Sequence, residues 1–546
     1  MALGGNADIK GEDMTIKLSK TAALTSILFA SVSLPAMAQA EGAASDYPLI
    51  IQNDCTVECG FPEFENADEA AAYLHSRFFN DGEGGAPTGA GGSVEGANGP
   101  SGLGLGLGLG LNAPQVVYLD FQPGEPTYTF SLFGITLTLN DYFYTDEDKE
   151  IVKSRLETDY APYNIEFVLE EPTEGDYVTL QFNSNDAPCA GTAGVCPTGG
   201  ILFGSAGEID FGNDNRSIVA INDANLWPFL NALDPILGRP AGTFIEDNAL
   251  IDVIGARTDG PDAVTAEEAA RIAVLNQTSN TGAHELGHGL GLRHYDSWGP
   301  IGGGLPSTGT PEPSTFAPVY DGPADGDETI LHLMSSGASS GLPLSQSANA
   351  DRFHSERSAI KLAINERGRF VTDEQANSGQ AKLKKLQVVN PILEGDNADG
   401  RIDVRNIVVE GTIDELDEVD TLTFSGKAGQ IFNAEFISDV EGFFFPEWDR
   451  VIGKLTLYKQ ESNGSLTQVA TNDAEFESFD AFLLDAELPE DGTYVLHAEA
   501  PNEIFLGFDA MGDPIIIPLS AFGFTDEVEY RTGQYILNAY IVESKT

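Results

Sequence analysis

Three of the chain's seven histidines fall within eleven residues, His284-Glu285-Leu286-Gly287-His288-Gly289-Leu290-Gly291-Leu292-Arg293-His294. That spacing dictates local structure. On an α-helix, residues four apart leave the same face, so His284 and His288 direct two imidazoles at one point. Gly291 lets the chain leave helical geometry through a backbone conformation costly for other residues, and the departure allows His294 to return as a third donor. Three neutral imidazoles suit zinc and leave its fourth position to water, whose pKa falls towards neutrality. Glu285 points to another side of the same turn, beside that open position, where a carboxylate can take a proton from water. A lone HExxH arises by chance on helices. Here the third His and the Gly stand at the required offsets, and Thr265 with Glu268 three residues on forms a capping box that starts the helix.

Around this motif the chain divides by composition. Residues 14–40 have the three parts of a secretory signal: Lys17 and Lys20, an apolar stretch over 21–34, and small residues over 36–40. With the preceding extension, residues 1–40 are expected to be absent from a product that is soluble, exported and not inserted in a membrane. Translation from Met14 is an alternative to Met1. Residues 41–80 form a Cys-containing, pro-segment-like region. Residues 81–112 are a Gly-rich linker, with 13 glycines between 81 and 110 and glycine at every second position near its end.

After the linker, 115–121, 164–169 and 177–182 read as strands, 147–160 as a helix, and 200–221 as strand and turn. The region 113–375 is therefore an α+β domain carrying the histidine helix. From about Lys384 the pattern changes to short alternating strands (419–424, 454–458, 493–498, 534–542) with no helix signal, which predicts an all-β sandwich over 384–546 as a separate module.

Charge excludes some partners. The formal net charge is −57, and loss of residues 1–40 leaves it unchanged because three lysines and three acids go together. Such a surface repels nucleic acid and anionic lipid, and it fits a salty or calcium-containing exterior. Four cysteines occur as two close pairs, Cys55 with Cys59 and Cys189 with Cys196, which in an exported chain read first as two local disulfides. Asp210-Phe211-Gly212-Asn213-Asp214-Asn215 clusters hard oxygen donors and admits Ca2+ or an ordinary Asx turn. Asp396-Asn397-Ala398-Asp399-Gly400 is a turn, because the first ligand position of a calcium loop would fall on Gly395. His75, His332, His354 and His497 read as surface or hydrogen-bonded residues, with His332 nearest to an exception.

Through residues 284–294 and through Leu331-His332-Leu333-Met334-Ser335-Ser336-Gly337, the chain resembles the metzincin zinc metallopeptidases. The second stretch is similar to the family's Met-turn, which implies that Met334 packs beneath the zinc-binding histidines. The resemblance implies a two-lobed catalytic domain with the zinc helix at the floor of a cleft and Glu285 as general base. It also implies a substrate lying extended along a sheet edge. Ser336 stands where astacins and serralysins have a tyrosine, which points to the matrixin-like branch or a bacterial relative. Cys59-Gly60-Phe61-Pro62-Glu63 resembles the matrixin cysteine switch, although Glu58 replaces a basic residue and Cys55 is near enough to pair with Cys59. Both readings of Cys59 stay open.

The C-terminal region resembles the bacterial pre-peptidase C-terminal domain through Val409-Glu410-Gly411-Thr412-Ile413, Val419-Asp420-Thr421-Leu422-Thr423-Phe424, Leu488-Pro489-Glu490-Asp491-Gly492-Thr493-Tyr494 and Thr532-Gly533-Gln534-Tyr535-Ile536-Leu537. The expectation is a secreted, monomeric zinc endopeptidase acting on proteins or peptides. The alternatives are an adhesin or matrix-binding protein with a structural zinc site, and a zinc hydrolase of a non-protein substrate.

Overall fold

A computed structural model of the chain describes residues 114–122, 128–132, 135–139, 142–173, 177–182, 204–206, 219–222, 266–304, 327–328, 332–335, 352–377, 379–389, 401–438, 451–473, 480–508, 514–518 and 531–543. The signal, pro-segment and linker assignments lie outside these residues. So do all four cysteines, Ser336 and the calcium candidate at 210–215.

The elements in chain order are β1 (Gln115–Phe121), β2 (Tyr128–Leu132), β3 (Ile135–Leu139), α1 (Asp146–Asp159), β4 (Ile165–Val168), β5 (Val178–Phe182), β6 (Gly204–Ala206), β7 (Val219–Asn222) and α2 (Ala266–His288). There follow β8 (Trp298–Gly299), β9 (Asp327–Glu328), α3 (Glu356–Arg367), β10 (Phe370–Thr372), α4 (Asp373–Asn377), β11 (Lys384–Val389), β12 (Arg401–Ile413) and β13 (Val419–Gly426). The rest are strands: β14 (Ile431–Ser438), β15 (Lys454–Gln460), β16 (Leu466–Asn472), β17 (Phe482–Glu487), β18 (Gly492–Glu499), β19 (Glu503–Phe508), β20 (Pro514–Pro518) and β21 (Gly533–Val542). The described chain is thus mixed α and β, with strands predominant.

The first sheet runs β4-β1-β5-β7-β6, parallel except for β6, which pairs antiparallel with β7 at one edge. Alternation along β1 turns Val117 and Leu119 inward, and β5 does the same with Val178, Leu180 and Phe182. Val152 and Leu156 of α1 and Leu275, Ala283 and Leu286 of α2 cover that face and complete one hydrophobic core. Helix α1 starts at a capping box, with Thr145 accepting from the Asp148 backbone N–H and the Asp148 carboxylate accepting from Thr145.

The C-terminal strands form two facing sheets, β10-β12-β21-β14-β17 with β11 on β12, and β13-β18-β15-β16. Phe424, Phe432, Phe436, Leu457, Leu496 and Leu537 fill the space between them. Two features differ from the sequence expectation. Strand β21 is buried on both faces from Tyr535 to Val542, where one-sided alternation was expected over 534–542. Its outer face is covered by α3, whose Ala359, Ile360, Ala363 and Ile364 join Val404, Val408, Ile437, Ile536 and Tyr540 in a third core. Leu362, on the same helix, belongs to the core under α2. Helix α3 is a wall shared by both regions, and β10, assigned by sequence to the preceding region, pairs with β12.

Candidate metal centre

Helix α2 begins at Ala266, one residue after the expected cap Thr265, and ends at His288. The chain then leaves the helix as the sequence requires. Leu292 N–H donates to Gly287 O at 2.9 Å and Gly291 N–H donates to His288 O at 2.8 Å, the paired bonds of a Schellman motif. Gly291 supplies the left-handed residue that this motif needs, with φ of +86°. Asn365 of α3 donates to Leu290 O at 2.7 Å, so a second helix holds the turn. His294 then opens a short 3-10 turn, His294–Ser297.

The turn brings the three imidazoles together. All three residues are buried, and their candidate ligand atoms lie within 4.8 Å of one another. Ring centroids are 4.9 Å apart for His284 and His288, 4.9 Å for His288 and His294, and 5.3 Å for His284 and His294. Two tautomers are fixed by carbonyls, which can only accept: His284 Nδ1 donates to Leu333 O at 2.6 Å and His288 Nδ1 donates to Leu292 O at 2.8 Å. Their Nε2 atoms are thereby left as lone-pair donors, the outer-shell arrangement that orients metal-binding histidines. This donor set fits a divalent metal ion. Three imidazoles suit zinc, copper, iron or nickel and do not by themselves choose among them.

Met334 is fully buried, and its Sδ lies only 2.5 Å from where a Cβ on Gly287 would fall. Gly287 immediately precedes His288 on the helix. The methionine therefore packs against the helix through a gap that only glycine leaves. The turn at 332–335 is fixed on its other side, where His332 Nδ1 donates to Ser297 O and Leu333 N–H donates to Phe353 O at 2.8 Å. Glu285 is completely buried in the same helical turn as the ligands.

Several supports are not apparent in the motif. Tyr160 OH donates to Ala283 O at 2.7 Å beside the first ligand, and Arg271 Nε donates to the buried Asp148 at 2.8 Å, tying α1 to α2. His354 is buried against the rings of Tyr160 and Tyr163, and burial, helped by nearby His332, lowers its pKa to about 3. His497 is half-buried beside Tyr458.

Arg293, adjacent to the third ligand, is buried in a cluster of charges. Its Nε lies 2.8 Å from Glu435 and its Nη2 donates to Asp480. Lys361 Nζ lies 2.9 Å from Asp296 and 3.0 Å from Glu435. Burial acts to raise the Glu435 pKa, but Lys361 and Arg293 outweigh it and hold the carboxyl below its ordinary range. For Asp296 burial prevails over Lys361 and the pKa is raised. Arg357 pairs with Asp485 in a parallel contact between α3 and β17.

No protein-family model matches the chain, and no curated protein matches it. Among solved structures, the chain is similar to the pre-peptidase C-terminal domain of a collagenase from Bacillus anthracis. That likeness has 13% identity and a TM-score of 0.14, over 24% of this chain and 88% of that one. A protein from Sulfurospirillum deleyianum aligns at 7% identity and a TM-score of 0.15, over 25% of this chain and 98% of its own. Likenesses at these scores assign neither fold nor activity. Among the described residues, no helix is long and apolar enough to cross a membrane.

Proposed function

We propose that the chain is a secreted zinc-dependent endopeptidase of metzincin type, acting on proteins or peptides as a monomer. One observation carries the reading: two histidines of a buried triad have Nδ1 fixed by carbonyls, and Met334 packs into the gap at Gly287. A zinc ion bound there would supply a Lewis acid for the scissile carbonyl and lower the pKa of an attacking water. The chain's own residues supply the rest. His284 and His288 are held rigid by the helix and by their carbonyl partners, which limits reorganisation during reaction. Glu285 takes a proton from the attacking water and passes it to the leaving amine nitrogen, so that one carboxyl serves as base and then as acid. Strand β6 is the sheet edge packed beside α2, and the reading assigns an extended substrate backbone to that edge. Export rests on the signal-like residues 14–40.

The test is expression of residues 41–546, measurement of bound metal, and assay against a protein mixture. Chelator should abolish cleavage and zinc restore it. Glu285→Ala should retain the metal and lose at least ~100-fold in kcat/KM, the lower end of what a general base contributes. Zinc retention without proteolysis in the wild type would overturn the peptidase reading in favour of a structural site or a non-protein substrate.

A further inference from the structure

His284 and His288 are rigid because a helix carries them. His294 lies beyond the helix, after the chain turns at Gly291, and opens a short 3-10 turn. We propose that the β-sandwich positions this third ligand, with Arg293, Glu435 and Asp480 as positioning residues. The inference rests on reading the triad as a metal site, whatever reaction that site performs.

Both chain neighbours of His294 are fixed by the sandwich. On one side, the Arg293 guanidinium spans Glu435 of β14 and Asp480, which precedes β17. Asp480 is itself oriented by the Ser438 backbone N–H at 2.9 Å and by the Ser438 hydroxyl at 2.8 Å. On the other side, the Tyr295 ring stacks on Phe482 of β17, with centroids 4.8 Å apart and planes 9° apart. The connection closes on itself: Lys361 bridges Glu435 to Asp296, and the same Asp296 carboxylate oxygen accepts from Arg293 N–H at 2.8 Å. A planar fork between two fixed carboxylates fixes direction as well as position, which a flexible ammonium does less well. The backbone on either side of the ligand is thus tied to strands that follow it by well over a hundred residues. Groups hydrogen-bonded directly to metal-binding histidines typically change metal affinity 10–100-fold, and contacts that hold the backbone of a ligand are expected to act at the lower end of that range.

The test uses Co2+ binding to the full chain, read by chelator competition and by the visible d–d spectrum, which reports ligand geometry independently of any catalysis. Three variants, Arg293→Lys, Glu435→Gln and Asp480→Asn, are compared with Asp420→Asn, which removes charge from a different sandwich contact, the one between β13 and Tyr535 of β21. The expectation is at least ~10-fold weaker cobalt binding and an altered spectrum in the three, and neither change in Asp420→Asn. Wild-type affinity and spectrum in any folded member of the three would overturn the inference for that residue, and in all folded members would overturn it whole. If none of the three folds while Asp420→Asn does, the network serves folding and the positioning role is likewise overturned. A wild-type chain that binds no cobalt would instead remove the metal reading itself, so the two failures are distinguishable.

Discussion

His354 shows how one buried side chain couples the site's surroundings to pH. It is packed against Tyr160, whose hydroxyl holds the α2 backbone one residue before His284. Burial depresses its pKa from the ordinary 6.5 to about 3. Below pH 6.5 the unfolded chain therefore binds a proton that the folded chain refuses. Stability contributed above that pH is lost progressively as pH falls, until the folded pKa is reached, at about 1.4 kcal/mol per pH unit. His354→Phe keeps the ring contacts and removes the titration. Between pH 6.5 and 5 the variant should lose about 2 kcal/mol less stability than wild type, measured from urea midpoints at each pH. Equal acid sensitivity would show that other groups set the slope. Residues such as Gly291 and the triad were legible because their geometry is fixed by neighbours in sequence. His354 was not, because its burial depends on Tyr160 and Tyr163, just past the end of α1 and almost two hundred positions away.

At the scale of elements, the position of the metal helix depends on α1. Asp148 is buried, caps α1 through Thr145 and accepts from Arg271 of α2. Removing one partner of such a pair leaves the other's charge poorly compensated. Because the Arg271 side chain is 24% exposed and can be rehydrated, Asp148→Ala should cost about 1.5–3 kcal/mol, visible as a lowered midpoint in chemical unfolding, whereas Asp148→Asn, which keeps the cap acceptor, should cost less. Similar midpoints for the two variants would assign the stabilisation to the charge and not to the cap. The sequence placed α1, β1, β5, β13, β18 and β21 to within a residue or two, because apolar period and turn residues are local signals. It missed the role of α3. A helix whose Leu362 faces one core while Ala359, Ile360, Ala363 and Ile364 face another carries no single apolar stripe, and only the two sheets on either side explain its composition. The same holds for β21, whose double burial needs α3 as the outer cover.

For the whole molecule, two kinds of electrostatics differ in how strongly they respond to salt. A formal charge of −57 makes the surface repel itself in the compact state. Arg293 with Glu435 and Asp480, Arg357 with Asp485, and Lys361 with Asp296 are attractive pairs, and their side chains are almost entirely removed from solvent. Mobile ions shorten the range of exposed interactions from about 30 Å at 0.01 M to about 10 Å at 0.1 M, but reach buried pairs far less. Added salt should therefore relieve the repulsion and leave the junction between α3 and the sandwich intact. The expected outcome is a transition temperature that rises by at least ~2 °C from 10 to 150 mM NaCl in the metal-free chain, followed by calorimetry. The junction residues themselves should show the reverse independence: Arg357→Lys should lower the transition temperature by a similar amount at both salt concentrations, because its partner is fully buried. A penalty that disappears at 150 mM would mean that water and ions reach the contact between α3 and β17.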